Sequence, residues 1–163
     1  MTALGPKEDN SLAVLLGQTL EGVAAVIEQP QGEAVVTVEP EKLVSLCRRL
    51  KEDPGLGFDY LRCLSAVDYG DHFQLVYHLY SMAYGHKMVV KVNIPLEDAV
   101  APSVTAVWRG ADWHEREAAE MFGITFTGHP HLVPLLLEEG CDEHPLCKSH
   151  PMVALRPPRN GDS

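Results

Sequence analysis

The protein has 163 residues, 45% of them apolar, and a formal net charge of −10 at pH 7, which fits one globular domain. So acidic a chain lacks the basic surface that binding to nucleic acid or to anionic lipid requires. No apolar run approaches the ~18 residues that cross a bilayer, and residues 1–10 lack the apolar core of a secretory signal, so we expect a soluble, cytoplasmic protein with reduced cysteines.

The first third of the chain predicts a helix, a β-hairpin and a second helix. Residues 1–10 are expected to be a flexible N-terminus, and Ser11 is expected to cap the first helix. Two β-rich runs, residues 23–28 and 33–38, flank a stretch with Pro and Gly and predict a hairpin with a four-residue loop. Pro40 favours the first position of the second helix. Each helix spaces its apolar residues for one buried face: Leu12, Leu15, Leu16 and Leu20, then Leu43, Leu46, Cys47 and Leu50.

The middle of the chain predicts three strands. Residues 60–67 are β-rich, and residues 72–80 and 87–94 alternate apolar with polar side chains. This alternation is typical of a sheet with one covered face and one partly wet face. A loop or a short helix is expected between Pro95 and Pro102. The residues expected on the covered face are Phe73, Leu75, Tyr77, Leu79, Met88, Val90, Val92 and Ile94.

A third helix is predicted over residues 112–122. Asp112 would be its N-cap, Glu115 would complete a capping box, and Gly123 would be the left-handed residue after its end. The predicted order is α-β-β-α-β-β-β-α, followed by an extended C-terminal region. Because helices and strands do not alternate one to one, we expect an α+β fold, a two-layer sandwich, rather than a doubly wound α/β fold.

This third helix places a carboxylate and an aromatic ring on unexpected sides. On a helical wheel Glu115 falls within the apolar arc and Trp113 on the charged side. Glu115 is therefore either a helix cap or a buried carboxylate held by an arginine or by backbone donors, because an unpaired buried charge is very costly. Trp113 is either a core residue or an anchor at a subunit interface. Arg116 can pair with Glu120 one turn on.

Two blocks of residues around this helix carry a resemblance to a known family. The first block contains Glu115, Arg116, Glu117, Met121, Phe122, Gly123, Ile124, Phe126, Gly128, His129 and Pro130. The second block contains His144, Pro145, Leu146, Lys148 and Pro151. Over about residues 108–151 they resemble the motifs of the 30-kDa subunit family of respiratory complex I, which in bacteria is the C subunit of NADH-quinone oxidoreductase. The predicted order of helices and strands is also similar to that family's two-layer core.

The resemblance implies a scaffold rather than a catalyst. It implies a cofactor-free subunit in the peripheral arm of a proton-translocating complex, on the cytoplasmic side of the cell membrane, which it reaches only through the complex. Its implied partners are the 49-kDa-type subunit that forms the quinone pocket and the iron–sulfur subunits of the arm. Quinone, NADH, FMN and the iron–sulfur clusters would then be bound by other chains, and no catalytic centre is expected in this one.

The resemblance also implies a division of the chain. Residues 11–128 would form the core domain, and residues 129–163 an extended region that binds partners. The residues expected at the subunit interface are Trp113, Glu115, Arg116, Glu117, Phe122, Gly123, Phe126, Gly128, His129, Pro130, His144, Pro145, Leu146 and Lys148. His129 would either fix the Gly-His-Pro corner by hydrogen bonding to the backbone or contact the partner subunit. The residues themselves also give no indication of a cofactor site, because the sequence has no phosphate-binding glycine loop and no CxxC pair.

Two alternatives stay open. The chain could be the equivalent subunit of a membrane-bound hydrogenase or a formate hydrogenlyase-type complex, which use a similar part. It could instead be a stand-alone zinc-binding module, because Cys141, His144, Cys147 and His150 recur every three residues and are of zinc-ligand type. Steps of three rotate around a helix, however, and Pro145 interrupts any helix here, so scattered side chains are the stronger expectation.

Overall fold

The computed structural model describes residues 10–21, 25–28, 33–138 and 140–151. The expected flexible residues 1–9, the hairpin loop at 29–32 and the last part of the extended region, 152–163, lie outside the described residues. The helices are α1 (Asn10–Thr19), α2 (Leu43–Glu52) and α3 (Ala111–Phe122). The strands are β1 (Ala25–Glu28), β2 (Ala34–Val38), β3 (Tyr60–Asp68), β4 (His72–Tyr80), β5 (Lys87–Pro95), β6 (Val100–Pro102) and β7 (Thr125–Thr127).

Five strands form one mixed sheet in the order β1-β2-β5-β4-β3. All neighbours are antiparallel except β2 and β5, which run parallel. The register places the predicted apolar residues of β4 and β5 side by side, for example Tyr77 beside Val90 and Leu75 beside Val92. The predicted covered face is confirmed, since every second residue of β4 from Phe73 to Leu79 is buried and those between are only partly buried.

The helices supply the second layer. Leu43, Leu46, Cys47 and Leu50 of α2 are all fully buried in the same core as the covered face of the sheet, as their spacing predicts. In the first helix Leu12, Leu16 and Leu20 are buried and Leu15 is partly buried. Ser11 does not cap α1, because the helix already includes Asn10. Pro40 begins a 3-10 turn, Pro40–Lys42, that leads directly into α2. The architecture is the expected α+β two-layer sandwich.

The segment between β5 and α3 differs from its prediction. Instead of a loop or a short helix it contains β6, which pairs in parallel with β7, so that Ala101 lies beside Phe126. A three-residue strand is too short to show a period of two, and its partner lies about 25 residues further along the chain. This small sheet brings the residues after β6 against the first turns of α3, and the functional site is built there.

Candidate functional site

Glu115 is a fully buried carboxylate held by donors from the segment after β6. The Ser103 hydroxyl donates to its Oε2 at 2.6 Å, and the Val104 N–H donates to its Oε1 at 2.7 Å. Burial raises the pKa of Glu115 to about 7, although both hydrogen bonds oppose that rise. Of the two roles considered for Glu115, the capping box is wrong. The residue that precedes the helix is Gly110, and no side chain caps the first turn. The buried carboxylate is right, with backbone and hydroxyl donors in place of an arginine.

His129 lies next to this carboxylate with a fully buried ring. The His131 N–H donates to its Nδ1 at 3.0 Å, which is the backbone hydrogen bond expected at the Gly-His-Pro corner. Because Nδ1 accepts, the ring proton lies on Nε2. That atom donates to the Asp112 main-chain carbonyl at 3.4 Å and lies 3.2 Å from Asp112 Oδ1 and 3.9 Å from Glu115 Oε2. The corner after β7 is thus held against the start of α3.

Arg116 and Glu120 bind the segment that follows this corner instead of each other, so their expected pairing is wrong. Arg116 donates to the Val133 carbonyl at 2.9 Å and to the Pro134 carbonyl at 3.1 Å. The Glu120 carboxylate accepts three consecutive backbone N–H groups, at 2.8–3.2 Å, from Leu135, Leu136 and Leu137. Arg116 therefore binds carbonyl groups, and Glu120 binds N–H groups, of the same stretch of backbone at residues 133–137.

Trp113 is 60% exposed, so of its two proposed roles the core position is wrong. Its ring lies beneath Arg116, whose guanidinium carbon is 5.3 Å from the ring centre. Arg116 also binds the Val133 carbonyl and lines a cavity with Leu132 and Val133, so these two exposed residues lie beside it, and Leu136, 63% exposed, follows in the same segment. We call Trp113, Leu132, Val133 and Leu136 the α3 face.

The second motif block packs on the end of α3. Gly123 has the predicted left-handed backbone, with φ +75°, and a Cβ there would lie 2.7 Å from two atoms of the His144 ring. His144 Nδ1 donates to the Glu120 carbonyl at 2.8 Å, and the Leu146 N–H donates to the Met121 carbonyl at 3.1 Å. The Lys148 N–H then donates to Asp68 Oδ2 on β3 at 2.8 Å. Residues 129–151, the C-terminal segment, thus run along α3 to the end of β3.

The structure separates the predicted interface residues into three groups. Those with buried side chains are Glu115, Phe126 and His129. Those partly buried are Arg116, Phe122 and Gly123. Those exposed are Trp113, Glu117, Gly128, Pro130, His144, Pro145, Leu146 and Lys148. Sequence reasoning missed Ser103, Val104 and Asp68, because each acts on a partner at least 11 residues away.

The Cys/His array does not converge. Among the described residues, which include Cys141, His144, Cys147 and His150, no three His, Cys, Asp or Glu side chains are placed to hold a metal ion. His144 and Cys147 instead donate to main-chain carbonyls at the end of α3. In the described part of the chain, no helix has the length and apolar content needed to cross a membrane.

Glu120→Ala is expected to speed amide hydrogen exchange at Leu135, Leu136 and Leu137 by about tenfold, because three donors lose one charged acceptor. The Tm of the isolated chain should change little, since the core does not involve this carboxylate. Glu117→Ala is the control, because Glu117 is exposed on the same helix. Unchanged exchange in Glu120→Ala would show that Glu120 does not hold the segment.

Comparison with known proteins matches most of the chain to one family. The family model for the respiratory-chain NADH dehydrogenase 30-kDa subunit matches residues 36–155. The NADH-quinone oxidoreductase C subunit of Roseiflexus castenholzii is 42% identical over 127 residues, which are 76% of this chain and 73% of that protein. The C subunit of the Rhodobacter capsulatus enzyme is 41% identical over 143 residues, which are 86% of this chain and 71% of that protein.

Two solved structures are similar in fold. A trypsin-resistant fragment of Nqo5 has a TM-score of 0.63 at 29% identity and covers 74% of this chain and 98% of that chain. A chain of the membrane-bound sulfane sulfur reductase, an archaeal respiratory membrane complex, has a TM-score of 0.69 at 26% identity and covers 80% of this chain and 79% of that chain. The motif blocks, the fold and these matches agree, and the chain belongs to the 30-kDa subunit family of the respiratory-chain NADH dehydrogenase, complex I.

Proposed function

We propose that the chain is a cofactor-free scaffold in the peripheral arm of an NADH-quinone oxidoreductase, on the cytoplasmic side of the membrane. Its partners would be the 49-kDa-type subunit that forms the quinone pocket and the iron–sulfur subunits beside it. The observation that carries the proposal is the α3 face, where Trp113 and Leu136 are each at least 60% exposed. Clustered exposed apolar side chains, with Trp among them, are typical of a surface that another protein covers.

The polar groups around this face support a structural role. Glu115 is bound by Ser103 and Val104, while Arg116 and Glu120 are bound to the C-terminal segment. Each of these groups is therefore bonded to another part of the chain and fixes the shape of the chain. The extended partner-binding region proposed for residues 129–163 begins with this segment. Among the described residues, positions 129–151 contain no helix or strand.

The electron donor is the part of the proposal that rests on the relatives. The bacterial relatives at about 40% identity are named as C subunits of NADH-quinone oxidoreductase, which favours NADH and quinone for the complex. The similarity to a chain of the sulfane sulfur reductase supports the alternative, in which the same scaffold serves a related membrane complex such as a hydrogenase.

Purification of the chain at its native level of expression tests both forms of the proposal. Co-purification of a 49-kDa-type subunit together with an NADH-binding flavin subunit supports the first. A large subunit with paired CxxC motifs and no flavin subunit supports the alternative. Recovery of the chain without any respiratory subunit would overturn the scaffold role.

Trp113→Ala is expected to lower the amount of co-purified 49-kDa-type subunit about tenfold or more, because an exposed Trp at the centre of an interface contributes about 2 kcal/mol or more. The free energy of unfolding of the isolated chain should stay within about 0.5 kcal/mol, since Trp113 is 60% exposed and lies outside the core. Met82→Ala is the matched control, because Met82 is 67% exposed in the turn between β4 and β5. Normal assembly of Trp113→Ala would remove the α3 face from the interface.

A further inference from the structure

Strand β3 leaves one edge of the main sheet open. Within the described residues β3 pairs only with β4, so the main-chain groups on its other side have no strand partner. Exposed edges readily pair with another chain, and proteins guard them with charges and β-bulges. The first half of β3 has both devices, the exposed Arg62 and a bulge between Leu61 and Cys63. The second half, residues 64–67, is Leu-Ser-Ala-Val and has neither.

A cleft lies beside this unguarded half. It has a volume of about 120 Å³ and lies between β3 and α3. Leu64 and Ala66, two apart on the strand, line it from one side, and Ala118 and Met121 line it from the helix. Leu146 of the C-terminal segment also lines it and is 55% exposed. A cleft of this size and composition accepts one Leu- or Phe-sized side chain.

An unpaired edge next to an apolar cleft is the geometry of strand addition. A peptide that pairs with an edge strand gains main-chain hydrogen bonds, and its alternate side chains enter pockets beside that strand. We propose that an extended segment of a neighbouring subunit pairs with residues 64–67 of β3 and places one apolar side chain in the cleft between β3 and α3. This inference rests on membership of a multi-subunit complex and not on the α3 face, which consists of other residues.

Charge indicates the chemistry of that segment. Glu117 lies at the rim of the cleft and is exposed, and the chain as a whole carries a net charge of −10. A basic residue close to the apolar one would therefore be attracted, whereas a second copy of this acidic chain would be repelled. The occupant is thus an extended, basic and apolar segment of another subunit.

Amide hydrogen exchange on the full chain, alone and in the purified complex, tests the pairing. Within residues 64–67, the amides that point away from β4 should exchange about tenfold more slowly, or slower still, in the complex. Amides of β4 report any general stabilisation and provide the reference. Equal protection of β3 and β4, or no change at residues 64–67, overturns the proposal. In a complex that contains Glu117→Lys the protection should weaken, and Glu41→Lys, an exposed acid in the turn before α2, is the matched control.

A photo-crosslinking residue at position 67 in the intact complex identifies the occupant. Val67 is exposed on the unguarded half of β3. A cross-link to a basic and apolar segment of another subunit supports the proposal. A cross-link to a second copy, or to this chain's own residues 1–9 or 152–163, overturns it. If Trp113→Ala assembles normally and the cross-link from position 67 persists, the α3 face is not an interface but the pairing with β3 stands. The two proposals can therefore fail separately.

Discussion

Glu115→Ala is expected to unfold with a free energy about 3 kcal/mol lower than that of Glu115→Gln. Alanine leaves the buried Val104 N–H without an acceptor, takes the partner from the Ser103 hydroxyl and opens a cavity in the core. Glutamine keeps the volume, accepts from Val104 through its amide oxygen and can donate to Ser103. Neither replacement titrates, so the difference should be the same at every pH. Urea unfolding of both variants measures it, and equal stabilities would show that the hydrogen bonds of Glu115 contribute nothing.

The free energy of unfolding of the wild-type chain should depend on pH differently from that of Glu115→Gln. Burial raises the pKa of Glu115 to about 7 in the folded chain, and an unfolded glutamate titrates near pH ~4.3. The folded chain therefore holds this proton more tightly, so the contribution of Glu115 to the free energy of unfolding is fully present below about pH 4.3 and is lost as the pH rises to about 7. The loss across that window should be about 3 kcal/mol and absent in Glu115→Gln. A parallel pH dependence in both proteins would place the titration elsewhere, and Glu117→Gln is the exposed control.

Gly123→Ala is expected to lower the free energy of unfolding by about 2 kcal/mol. The residue has φ +75°, where a side chain costs about 1 kcal/mol. Its new Cβ would also meet the His144 ring at 2.7 Å and move that ring from the Glu120 carbonyl, which adds about 1 kcal/mol. Thermal unfolding of the isolated chain and amide exchange at Leu146, which should become faster, measure the two consequences.

Gly128→Ala separates the two causes. Gly128 has a similar φ of +79°, but no atom lies within 4 Å of a Cβ built there. It should therefore lose only the backbone part, about 1 kcal/mol, and leave exchange at Leu146 unchanged. If Gly123→Ala and Gly128→Ala cost the same, contact with His144 does not determine the glycine at position 123.

The parts of the fold that the sequence predicted are those with a local cause. Burial on one side imposes a spacing of three and four on α2 and of two on β4, so Leu46 and Tyr77 could be assigned to the core directly. Gly123 could be assigned to the end of α3 because only a left-handed residue continues the chain there. The motif blocks are likewise defined by residue types at fixed spacings along the chain. They therefore indicated the family without any knowledge of contacts.

Contacts between distant residues could not be predicted in this way. The inward position of Glu115 indicated a buried carboxylate, but nothing near it in the sequence indicated Ser103 and Val104 as its donors. Arg116 and Glu120 have ideal spacing for a pair on one helix, yet each bonds to backbone groups at 133–137. Local spacing shows only which pairs are possible, and the backbone groups that the rest of the chain places beside these side chains decide which pairs form.

Taken alone, the sequence determined the two-layer α+β class, the covered face of the sheet, the end of α3 at Gly123, and the family. Only the tertiary structure decided that β6 pairs with β7, that Trp113 is exposed while His129 is buried, and that β3 leaves an edge beside a cleft. The reason is physical. The periodicity of apolar residues shows which side of a helix or strand is buried, and it can be read from residues that are close in the sequence. Which group hydrogen-bonds to a buried carboxylate or to an open strand edge depends on which distant parts of the chain the fold brings next to it.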